Sequence, residues 1–227
     1  MRIVFFLVFI SYGYFYNIAS ESIKLSEKQR NEIANEVKYL ITDFTSYLPE
    51  IAASSNKSIE KRKIAKRYKE KALKLFIGEG KPYPYLDING NERMHAPVSI
   101  QITSDGKNSS MPITRYLDRL MSLPYHTVKV DSCQAIWISD YIYKQDENKW
   151  ISTAYFLQPF RAYDSEGYCI FNDYTPTKIT VFFEREEVFD PRTGHISTYE
   201  TVRLGDISVH SDYKYPHSMI YSADAYQ

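Results

Sequence analysis

Apolar residues recur along this chain with two different periods, and the change between them divides it into halves. From Ser26 to Ala53 the period is helical. Ile33, Val37, Leu40, Ile41, Phe44, Leu48 and Ile51 fall on one face, which predicts a long amphipathic helix. Ser26 followed by Gln29 is a capping box, in which each side chain satisfies an orphan amide. Pro49 is expected to kink or close the helix, and Ser54-Ser55-Asn56 make the turn. A second helix is predicted from about Ser58 to Ile77, with Ile64, Ala65, Tyr68, Ala72, Leu75 and Phe76 as its stripe and Gly78 as its C-cap. Its other face is basic: Lys61, Arg62, Lys63, Lys66, Arg67, Lys69, Lys71 and Lys74. Such a face is either solvated or an anion-binding surface.

Lys81 to Asn91, with two prolines and an Asn-Gly signal, predicts a loop. Val98 to Thr103 predicts a short strand and Ser104 to Ser110 a polar loop. Met111 to Leu123 predicts a third helix, with Pro112 in its first turn and Ile113, Tyr116, Leu117 and Leu120 on one face. Asp118 and Arg119 on this helix are expected to face solvent.

From Tyr125 the period becomes two. Thr127 to Tyr143 predicts a long strand, with Val128, Val130, Ile136, Ile138 and Ile142 on one face and Cys133, Ala135, Trp137 and Tyr141 on the other. Trp150 to Tyr163 returns after a loop over Gln145 to Lys149. A turn at Asp164 to Gly167 precedes a short strand, Tyr168 to Phe171. Lys178 to Phe189 and Ile196 to His210 flank a strong turn at Asp190 to Gly194, and Gly205 marks an expected bulge. Helices ahead of antiparallel strands predict an α+β fold. One face of the long strands must pack on the helices, and the other is open to a partner or a second copy.

The ends of the chain read differently. Met1-Arg2 give a positive start, Ile3 to Ile10 an unbroken apolar run, and Asn17-Ile18-Ala19-Ser20 a small or polar close. That order is the layout of a secretory signal peptide, and the run is short of the about 20 residues a bilayer span needs. The expectation is an exported protein, periplasmic or secreted, with no transmembrane segment after signal removal. It would comprise a signal peptide over 1–20, one α+β domain over 21–210 and a tyrosine-rich tail over 211–227. Absence of a cysteine at the cleavage site argues against lipoprotein anchoring.

Composition narrows the chemistry. Among 227 residues, 28 Lys+Arg balance 28 Asp+Glu, so no net charge draws the chain to nucleic acid. The 21 tyrosines suit half-wet strands and interfaces. The two cysteines, Cys133 and Cys169, are a candidate disulfide in an oxidising compartment, with two buried free thiols as the alternative. No CxxC, HExxH, G-x-S-x-G, P-loop or G-x-G-x-x-G occurs, and the five histidines lack metal-ligand spacing, so neither a metal nor a cofactor is expected. Asn56-Lys57-Ser58 and Asn108-Ser109-Ser110 match glycosylation sequons, meaningful only in a eukaryotic secretory pathway.

The layout over Ser26 to His210 is similar to the nuclear transport factor 2-like superfamily, the cone-shaped relatives of ketosteroid isomerase and scytalone dehydratase. Three segments carry the resemblance: K-A-L-K-L-F-I-G (Lys71 to Gly78), Y-L-D-R-L (Tyr116 to Leu120) and V-R-L-G-D-I-S-V (Val202 to Val209). They look like segments of exported bacterial proteins of this type that have no assigned activity, and none is a catalytic signature. The resemblance implies a curved sheet wrapped around a long N-terminal helix, leaving a pocket. Two departures are the length of the first two helices and the C-terminal tail.

Two functional readings follow. One is a non-enzymatic exported module that binds a protein, glycan or small ligand, with a homodimer as one possible form. Its candidate contacts are Trp137, Tyr141, Tyr155, Tyr163 and Arg161, because aromatics and arginines make the strongest anchors. The other is a small lyase, isomerase or hydrolase, which the resemblance alone suggests. It requires an acid–base pair inside the cone, for which Asp131, Asp140, Tyr141, Tyr155 and Arg161 are the strand residues available.

Overall fold

The computed structural model describes residues 22–52, 58–86, 91–104, 107–123, 125–131, 135–145, 149–157, 159–173, 176–190 and 195–209. The expected signal peptide over 1–20, the expected tail over 211–227, and Cys133 lie outside them. A short strand β1 (Ser22–Lys24) leads into α1 (Glu27–Ala52), then α2 (Ile59–Leu73) and a 3-10 turn (Ile77–Gly80). A hairpin follows, β2 (Tyr83–Leu86) and β3 (Glu92–His95), then a second, β4 (Ser99–Ser104) and β5 (Lys107–Pro112), then α3 (Ile113–Ser122). The remainder is strand: β6 (Thr127–Val130), β7 (Ala135–Ile138), β8 (Tyr141–Lys144), β9 (Lys149–Leu157), β10 (Phe160–Tyr163), β11 (Cys169–Asp173), β12 (Pro176–Asp190) and β13 (His195–Val209). Helices on a predominantly antiparallel sheet make this an α+β fold, as the change of period predicts.

The helix starts follow their sequence signals. At α1 the Ser26 amide donates to Gln29 Oε1 at 2.9 Å and the Gln29 amide to Ser26 Oγ at 3.3 Å, the reciprocal pair of a capping box. Pro49 sits inside α1, and the helix ends three residues later, at Ala52. Ser58 caps α2 by accepting from the Lys61 amide at 3.3 Å. Helix α2 stops at Leu73, earlier than its apolar stripe suggests. Phe76 has already turned extended and forms an isolated bridge to Leu204, and Gly78 takes a positive φ of 68° beyond it. Only Ala65 and Ala72 of α2 are buried, so its basic residues stay at or near the surface. Lys69 pairs with Asp118 of α3, and Lys71 lies over the rings of Tyr47 and Tyr68.

The main sheet runs β1-β8-β9-β12-β13-β4-β5, with β7 beside β8 along β9. All pairs in it are antiparallel except β13 with β4, which meet in parallel at Ile207 and Ile100. Three expectations are corrected here. The predicted loop over Lys81 to Asn91 holds strand β2, paired with β3, because Tyr83 has a ring partner in Phe182 (5.9 Å) and another in His95 (5.1 Å). Most of the predicted polar loop over Ser104 to Ser110 is strand β5, held by pairing with β4 despite its polar sequence. The predicted strand from Thr127 to Tyr143 is three strands with the predicted alternation of faces, and Trp150 to Tyr163 is two.

That interruption shapes the molecule. β9 pairs with β7, but past Pro159 the chain re-forms as β10 between β6 and β11, a separate three-stranded sheet. Proline cannot donate a ladder hydrogen bond, so a break there is cheap. The expected bulge at Gly205 is present: two steps on β12, from Ile179 to Val181, oppose three on β13, from Ile207 to Leu204. It aims Asp206 at β4, where Oδ1 accepts from the Ser99 amide at 2.7 Å and from Ser99 Oγ at 3.0 Å.

The core lies between the helices and one face of the sheets. Val37, Ile41, Phe44, Leu48 and Ile51 of α1 meet Ile113, Leu117 and Leu120 of α3, Val128 of β6, Ile138 of β7, Ala154 and Phe156 of β9, Ile179 and Val181 of β12, and Leu204 of β13. Phe44 and Phe76 meet edge to face at 5.1 Å. Arg30 pairs with Asp140, fastening the first turns of α1 to the bend between β7 and β8.

Candidate functional site

A cavity of about 280 Å³ opens where α1, α3 and the two sheets meet. This is at the lower edge of the about 300–1,000 Å³ usual for small-molecule sites. Its walls follow from the alternation described above. Helix α1 contributes Phe44, Thr45 and Leu48; β4 contributes Ile100, Gln101 and Ile102. From α3 and the residues after it come Tyr116, Arg119, Leu120, Leu123 and Tyr125. The strands add Val130, Phe156, Phe160, Phe171, Thr177, Ile207 and Val209. Phe156 lies before the break at Pro159, in the main sheet, and Phe160 after it, in the three-stranded sheet, so both sheets line the space.

Some of the polar groups in this apolar lining are already committed. The Thr45 hydroxyl donates to the Ile41 carbonyl at 2.8 Å, and Gln101 Oε1 accepts from the Val209 amide at 3.0 Å. Burial pushes the Tyr125 phenol above its ordinary pKa, and the nearby Arg119 guanidinium opposes that rise. Tyr125 is therefore a neutral phenol, able to donate, at any physiological pH. Arg119 also lines a second, open hollow on the outer side of α3 with Met111, Arg115, Asp118 and Ser122. Its guanidinium thus stands between the cavity and that outer surface.

Among the described residues of the lining there is no carboxylate and no imidazole, and the described residues contain no cluster of three metal-ligating side chains. No described helix is long and apolar enough to cross a membrane.

None of the five contacts expected from the sequence lines the cavity. Trp137 and Tyr155 are register partners on β7 and β9, with ring centroids 5.3 Å apart, on the face opposite Ile138, Ala154 and Phe156. Arg161 and Tyr163 alternate with Phe160 and Ala162 on β10 and so share that outward side. Arg161 is paired with Asp131, which raises its pKa further, and Lys129 lies 5.4 Å from the Tyr163 ring. Tyr141 is exposed on β8, outward of buried Ile142. Of the two acids considered for catalysis, Asp131 is engaged by Arg161 and Asp140 by Arg30.

The expected disulfide is also corrected. Cys169 is a free, exposed thiol. On its strand Cys169 faces Tyr163 at one end of β10. Cys133 lies outside the described residues.

Arg119 is exposed, as the sequence predicts, and its place beside the cavity is what the sequence reading did not anticipate. Asp118 and Arg119 are both exposed, Asp118 against Lys69. Arg119 also flanks the buried stripe of Ile113, Leu117 and Leu120, on the side it shares with Tyr116 and Leu123. The i, i+3, i+7 spacing of Tyr116, Arg119 and Leu123 is the signal that could have placed it.

Compared with family models, curated proteins and solved structures, the chain matches none of them.

Proposed function

We propose that this protein is an exported, non-enzymatic module that binds a small, largely apolar molecule in the cavity between α1, α3 and the two sheets. One observation carries the reading: the described lining of the cavity is mostly apolar, and its one charged side chain, Arg119, comes from α3. The absence of carboxylate and imidazole from its described lining supports binding over catalysis, because general acid–base chemistry needs such a pair within reach of the ligand. Placement within the nuclear transport factor 2-like superfamily fits the long α1 against the sheets and a pocket at their junction, and belongs to the same proposal. Export rests on the sequence of residues 1–20, whose charge, apolar run and small-residue close are those of a signal peptide.

Methyl NMR of the purified protein titrated with decanol tests the binding. Shifts at Leu48, Leu120 and Ile207 are expected. Shifts confined to residues beside Trp137 and Tyr155, or none, would replace the cavity by the outer face of the sheet as the site to pursue. The mass of the protein recovered outside the cytoplasm tests export; a full-length mass there would refute signal cleavage.

A further inference from the structure

We infer that the cavity selects an amphipathic acid: an apolar body inside, and one carboxylate held at the mouth by Arg119. This rests on the proposal that the cavity is a ligand site and names the ligand class. Among the described residues, the lining pairs an apolar interior with one charged side chain, Arg119. Among the described residues that guanidinium has no salt-bridge partner: the adjacent carboxylate, Asp118, is engaged by Lys69 of α2. Lys69 is held in this position by α2, whose buried alanines let it lie close to α1 and α3. The fork of N–H donors on an arginine matches the two oxygens of a carboxylate. Beside it, burial raises the Tyr125 phenol above its ordinary pKa, so Tyr125 adds no negative charge near the head group. Arg119 also borders the outer hollow, so the head can remain partly hydrated while the body leaves water. Burying the apolar body supplies the affinity; the guanidinium supplies the preference for an anion.

Two probes of the same chain length separate this from the parent proposal: decanoate and decanol, titrated calorimetrically at pH 8 into the whole protein. Decanoate is expected to bind about tenfold or more tighter, the factor that corresponds to one charge-assisted hydrogen-bonded contact. Arg119→Gln should abolish that advantage while leaving decanol binding intact. Lys63→Gln, which removes the same charge from the exposed face of α2, should leave the advantage in place. Equal affinity of the two probes for the unsubstituted protein would overturn the head-group assignment and leave the cavity standing. So would an unchanged preference in Arg119→Gln, or a loss in Lys63→Gln equal to that in Arg119→Gln. If neither probe binds, both the cavity and the inference are wrong.

Discussion

Gly205 offers a direct test of how the sheet is assembled. A Cβ built at this position would lie 2.5 Å from Phe182 Cε2 and 3.1 Å from Thr180 Cβ, the first distance far inside van der Waals contact. Phe182 cannot easily yield: its ring is 5% exposed and is met edge-on by Tyr83 at 5.9 Å. Gly205 does not need a positive φ, so alanine is compatible with the backbone. Two effects of Gly205→Ala therefore compete. Reduced freedom of the unfolded chain stabilises by about 0.4–1 kcal/mol. Overpacking against Phe182 costs about 1–3 kcal/mol. The clash should win, leaving a net loss of about 1–2 kcal/mol. For a domain of this length that lowers Tm by roughly 2–8 °C. Urea unfolding followed by far-UV circular dichroism gives the first quantity and a thermal scan the second. Phe182→Leu shortens the obstructing side chain, so Gly205→Ala should cost much less in that background. An unchanged or raised Tm in the single variant, or an equal cost with and without Phe182, would refute the argument that the ring occupies the space above the bulge.

Three other outcomes follow from particular contacts. The Tyr83 phenol is pushed up to about 12, first by burial and then by Asp206, so the folded state holds its proton more tightly than the unfolded chain does. Its contribution, of order 2–3 kcal/mol, is complete below pH 10 and is lost as pH rises from 10 toward 12. The stability of Tyr83→Phe should therefore fall less steeply than that of the unsubstituted protein over this window, and parallel curves would exclude Tyr83 as the group responsible. Phe76→Ala empties a fully buried site between α1 and β13 and should cost about 3–5 kcal/mol, read by denaturant unfolding; a loss below 1 kcal/mol would mean that Phe76 does not join those elements. Cys169, free and exposed, should react with a thiol reagent without denaturant or reductant, and an unreactive thiol that appears only after reduction would restore the bridge to Cys133.

Periodicity was enough wherever a residue's environment is set by its own element. The capping box at Ser26, the buried stripe of α1 and the inward set Val128, Val130, Ile136, Ile138 and Ile142 are local patterns, because 3.6- and 2-residue repeats are properties of a single helix or strand. The α+β class follows from the order of those patterns. Even the bulge at Gly205 was marked by its residue type. What a partner element decides could not be read the same way. Strand β5, K-N-S-S-M-P, has little strand character of its own and exists because β4 offers it a ladder. The break at Pro159 redirects one strand into a second sheet, so Phe156 and Phe160 line one cavity from two sheets. Trp137, Tyr155 and Tyr163 looked like a site because they are aromatic; alternation against the buried residues turns them outward. Arg119 is exposed, as its charge suggests, and it also borders the cavity once α3 packs against α1 and β4. The sequence by itself determined which elements form and which face each one buries. Only the tertiary structure decided where the buried faces fail to close, because a cavity is the space left between several elements and belongs to none of them.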